Sequence, residues 1–174
     1  MENRREALKI LGAIGSTCAF PFAADELYGQ DAANPAGRPG KFFTGAEMAR
    51  LAVLSDLIIP ETETAGSSGA GVPAYIDLVA SGNEEQGKLL REGMAWLGSE
   101  HGFFDLSEEE KIGVLRPLCD AADDGKFEVP GANFFFALKS LTADGYYTSK
   151  IGLIEELGYK GNTALAEFPE CHEH

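Results

Sequence analysis

The stretch 44–80, TGAEMARLAVLSDLIIPETETAGSSGAGVPAYIDLVA, decides the fold. Thr44 with Glu47 three residues on is a capping box, the local signal that starts a helix. Met48, Leu51, Leu54 and Ile58 recur at helical spacing and form one apolar stripe. Pro60 stops that helix, since proline has no N–H to donate and disfavours helical geometry just before it. A polar loop follows at 61–71, with three glycines and four hydroxyl residues. Pro73 suits the first turn of a second helix, where its missing N–H costs nothing. Tyr75, Ile76 and Val79 give that helix its apolar side. The stretch is therefore a helix pair joined by a loop longer than a simple turn. Such loops are either functional or solvated connectors.

Downstream, helical signals continue. Asn83-Glu84-Glu85 starts a third helix lined by Leu89, Leu90, Met94 and Leu97, with Gly98 as its expected terminator. Ser107 to Glu110 is a second capping box, opening a helix with Ile112, Leu115, Leu118 and Cys119 on one side. Pro117 inside it predicts a kink or an early stop. Asp123-Asp124-Gly125 is a turn signal. Phe134, Leu138 and Leu141 then share a helical face. Phe134, Phe135 and Phe136 cannot all lie on it, because helical neighbours are about 100° apart. Residues 144–149 read as a tyrosine-rich break, after which Ser149 caps a short helix carrying Ile151, Ile154 and Leu157 and ended by Gly158. No run alternates strictly as a strand would. The expected fold is all-α, an irregular helical bundle.

Upstream lies an address rather than a fold. Arg4 and Arg5 precede a mildly apolar segment at 10–20, the parts of an export signal of the twin-arginine type. Ala7 replaces the usual aromatic of that motif. The expected organisation is a signal at 1–24, a glycine- and proline-containing linker at 25–41 and a helical domain at 42–174. The expected location is the periplasm, with the leader either removed or kept as a membrane anchor.

The 174 residues carry 14 basic and 28 acidic side chains, a formal charge of -14. Nucleic acid and anionic lipid surfaces both need a basic face, so neither is an expected partner. Of three cysteines, Cys18 lies in the leader. Cys119 and Cys171 are left to form a disulfide in an oxidising compartment or to remain free thiols. Cys171, His172, Glu173 and His174 are metal-ligand types, yet adjacent residues at a chain end do not hold a fixed geometry. Glu61, Glu63, Asp56 and Asp77 surround the loop, but nothing in the sequence builds the cleft that acid–base work needs. The glycines at 66, 69 and 71 follow no strand and lack dinucleotide spacing. The reading therefore assigns no catalytic residue, no metal and no cofactor to this chain.

Leu51-x-x-Leu-x-Asp-x-Ile-Ile-Pro60, the threonine- and glycine-rich loop, and Gly71-Val-Pro-x-Tyr-Ile-Asp77 resemble the gluconate 2-dehydrogenase subunit 3 family. The run Leu138-x-x-Leu-Thr-x-x-Gly-Tyr-Tyr-Thr-Ser149, the pair Gly158-Tyr159-x-Gly161 and the Cys171 ending are similar too. The resemblance implies a small, non-catalytic subunit. Its partner would be a large FAD-containing dehydrogenase of the glucose–methanol–choline type, acting on sugars, sugar acids or glucosides. A cytochrome c often takes the electrons in such complexes. The small subunit escorts the large one through export and stays bound. Phe135, Tyr146, Tyr147 and the 61–71 loop are the expected contacts. A free-standing exported metal-dependent enzyme and a periplasmic binding module are the competing readings.

Overall fold

The computed structural model describes residues 38–161. Five α-helices follow one another: α1 Gly45–Ile58, α2 Val72–Gly82, α3 Glu84–His101, α4 Glu108–Asp123 and α5 Ala132–Thr148. A 3-10 turn, Phe103–Asp105, separates α3 from α4, and a π-helical turn, Ile151–Glu156, follows α5. The described residues contain no strand, in keeping with an all-α fold.

Both capping boxes form. Thr44 and Ser107 accept from the N3 amides, and the Glu47 and Glu110 carboxylates accept in return from the cap N–H groups. Pro73 lies in the first turn of α2, behind a left-handed Gly71. Helix α5 packs against every other α-helix and the π turn. The core is correspondingly continuous: Met48, Leu51 and Leu54 of α1, Ile76 of α2, Leu90, Met94 and Leu97 of α3, Leu115 and Leu118 of α4, and Phe134, Leu138 and Leu141 of α5.

Several local expectations fail for identifiable reasons. Helix α3 runs through Gly98 and ends at Gly102, which takes the left-handed conformation (φ 56) that closes a helix. Pro117 does not stop α4. It and Gly113, whose carbonyl loses its donor, are both exposed, so water serves the freed group. The tyrosine-rich segment is no break: α5 continues through Gly145 to Thr148. A side chain at Gly145 would meet the Tyr75 ring at 2.7 Å, so the glycine serves close α2–α5 packing. Ser149 does cap the last turn, accepting from the Gly152 amide at 3.0 Å. However, Ile154 and Leu157 point to solvent, as does Ile112 on α4.

Candidate partner interface

The 61–71 loop is held at both ends and in its middle. Asp56 accepts from the amide and the hydroxyl of Ser68, both at 2.7 Å. Ser67 donates its amide to the Ile59 carbonyl at 3.0 Å. The Tyr146 hydroxyl meets Thr64 Oγ1 at 3.0 Å and donates to the Ala65 carbonyl at 3.1 Å. Thr64 Oγ1 also donates to Glu156 in the π turn at 2.8 Å. The loop is thus fastened to α1, α5 and the π turn.

Asp77 performs a similar task at the start of the domain. It is 4% exposed and accepts the amides of Lys41, Phe42 and Phe43 at 2.5, 2.9 and 2.8 Å. A side chain at Gly40 would collide with its carboxylate. Arg91 completes the clamp. It donates to Glu47 at 2.7 Å and to the Phe42 carbonyl at 2.8 Å, with its guanidinium over the Phe42 ring. Partial burial pushes the Glu47 carboxyl up, but hydrogen bonds from Arg91 and Thr44 outweigh this and hold it below its ordinary value. The two aspartates that the sequence offers as acid–base candidates are therefore backbone fasteners.

The expected contact residues divide. Phe135 and Tyr146 are 4% and 2% exposed and belong to the core, which corrects their assignment as direct contacts. Phe135 is buried because α5 is covered from more than one side, and Tyr146 because its hydroxyl fastens the loop. Tyr147 is 43% exposed and stays available. Arg4, Arg5 and Cys171 lie outside the described residues. Cys119 is partly buried, with Lys139 Nζ 3.6 Å from its sulfur. Lys139 in turn pairs with Asp123 at 2.7 Å, and that bond raises the lysine's pKa.

Sequence reading passed over Phe127. Phe127 and Phe136 are each 47% exposed, and their rings meet edge to face at 5.4 Å. Phe127 also lines an open groove of about 290 Å³ between α3 and the 126–131 turn, with Leu89, Trp96, Val129 and Pro130. The three-phenylalanine run implied that one ring leaves the shared face, and it is Phe136 that is exposed while Phe135 is buried. Nothing local marked Phe127 as its neighbour. Among the described residues no three His, Cys, Asp or Glu side chains converge as a metal site would require. None of the described helices is long and apolar enough to cross a membrane.

The family model for gluconate 2-dehydrogenase subunit 3 matches residues 45–163, most of the chain. The chain belongs to that family. The match begins at the first residue of α1 and takes in all five helices and the π turn. Membership in gluconate 2-dehydrogenase subunit 3 makes this a subunit-type chain of a dehydrogenase complex. No curated protein and no solved structure matches it. Within the matched residues, Asp56, Asp77 and Tyr146 hold one element against another, and Gly145 lets α2 and α5 approach closely.

Proposed function

We propose that this chain is the non-catalytic small subunit of a flavin-dependent dehydrogenase. It binds a large FAD-containing subunit, stabilises it, and takes it through the twin-arginine route into the periplasm, where a cytochrome c accepts the electrons. The family match across the helical domain carries this reading. Asp56 and Asp77 support it, because their carboxylates are used in holding the loop and the 41–43 backbone. Exposed aromatic rings support it as well, since aromatic side chains are enriched where proteins bind one another.

A tagged pull-down from native cells, with a visible absorbance spectrum of the eluate, tests the reading. A large co-purifying subunit with a flavin spectrum is expected. A lone small chain without flavin would overturn it, and stoichiometric metal in that chain would favour the enzyme reading instead.

A further inference from the structure

The apolar surface of the described residues is not evenly spread. Part of it lines the groove between α3 and the 126–131 turn. Two close approaches shape it. A side chain at Gly93 would run into the Phe134 ring, and one at Gly131 would meet Trp96 at 2.5 Å. Gly131 also needs its left-handed backbone (φ 86) to start α5. The floor is therefore set by rings lying directly on glycine backbone. Phe127 forms one wall, and beyond it stands Phe136, so groove and ring pair make one continuous apolar strip.

The charged residues that line the groove have one sign, while Lys126, next to Phe127 in sequence, and Lys139, three residues from Phe136, are paired with Asp124 and Asp123. Glu92 and Glu128 line the groove with Asn133, and no lysine or arginine lines it. Lys88 reaches Glu92 only at 3.8 Å, with both side chains about two-thirds exposed or more, a pairing worth little. An apolar groove rimmed by carboxylates fits an apolar segment that carries lysine or arginine beside its anchor. A second copy of this acidic chain would bring carboxylates to carboxylates, which like-charge repulsion disfavours.

We infer that the Trp96–Phe127–Phe136 strip is where the large subunit docks, through an apolar segment flanked by basic side chains. The inference rests on the small-subunit reading and specifies the surface. Phe127 and Phe136 act as the anchors, and Glu92 and Glu128 steer the approach. Truncating well-packed aromatic anchors typically weakens an interface by about 30-fold or more. Reversing rim charges acts mainly on the association rate and its salt dependence.

The test co-expresses this chain with the flavin-containing large subunit and measures their affinity. Wild type is compared with Phe127→Glu, Phe136→Ser, the pair Glu92→Lys and Glu128→Lys, and a control pair, Ile154→Ser with Leu157→Ser. Because all these residues are exposed, each variant is expected to keep the wild-type melting temperature and circular dichroism. Affinity should fall about 30-fold for Phe127→Glu and less for Phe136→Ser. The charge-reversed pair should associate about tenfold more slowly and lose the salt dependence expected of wild type. The control pair should bind as wild type does. Wild-type binding with unchanged affinity in the phenylalanine and charge variants would overturn this surface and leave the small-subunit reading intact. Loss confined to the control pair would move the interface to the π turn. Self-association abolished by the same phenylalanine variants would assign the strip to a second copy. Absence of wild-type binding would overturn both readings.

Discussion

The loop at 61–71 and the turn at 126–131 both join consecutive helices, yet different chemistry holds them. The loop is fastened by side chains: Asp56 on Ser68, and Tyr146 on Thr64 and Ala65. The turn is held by backbone bonds, such as Lys126 N–H to the Ala121 carbonyl at 2.8 Å, and by rings lying on glycine. In the first region polar groups turn inward and the structure becomes specific. In the second, glycine brings aromatic side chains close and leaves Phe127 and Phe136 half exposed. Partly buried polar networks fix geometry, whereas exposed aromatic surface remains available for association. The loop, prominent in sequence, is a scaffold, and the inconspicuous turn carries the surface suited to a partner.

The sharpest way to break the polar side is at Asp77. Asp77→Ala strands three backbone N–H groups that now share one carboxylate, and each unsatisfied donor costs about 1–3 kcal/mol. Urea unfolding should register a loss of about 4 kcal/mol, partly offset where water reaches Lys41. On the aromatic side, Gly93→Ala forces a methyl into the Phe134 ring. Overpacking of this kind costs about 1–3 kcal/mol, and helix propensity returns about 1, so thermal unfolding should show a smaller net loss. Tyr146→Phe keeps the buried ring and removes only the loop fastener. It should lose about 1 kcal/mol, and limited proteolysis should find faster cutting within 61–71. An unchanged cutting rate would separate the loop from its fastener.

The mildest effect concerns pH. Glu47 has a depressed carboxyl pKa, so its contribution to stability is complete above the ordinary value of 4.5 and disappears as pH falls through the lower folded value. Glu47→Gln should be less stable than wild type at neutral pH. Its stability should fall less steeply between pH 5 and 3, as read by melting temperature across about that range.

Much of the fold was legible in the residues because its signals are local. Two capping boxes, Pro73 and the spacing of Met48, Leu51 and Leu54 placed helices where they occur. What failed was glycine at a distance. Gly98 and Gly145 read as ends, but α3 continues past the first to His101, and the role of the second is set by Tyr75, a ring on another helix. The fastening role of Asp56 and Asp77 left no trace in the sequence because their partners are amides 12 and 34–36 residues away. Phe135 and Tyr146 read as contacts since burial from several sides leaves no periodic trace, whereas Tyr147 does face solvent. The Phe127–Phe136 pair depends on how the 126–131 turn returns to α5, which no short-range pattern encodes.

The most direct test of the escort account is to produce the large flavin subunit with and without this chain and to measure its flavin content and dehydrogenase activity in the periplasm. The account predicts flavin-loaded, active, exported large subunit only when this chain is present, and no activity from this chain alone. Equal yield, flavin content and activity without it would contradict the account.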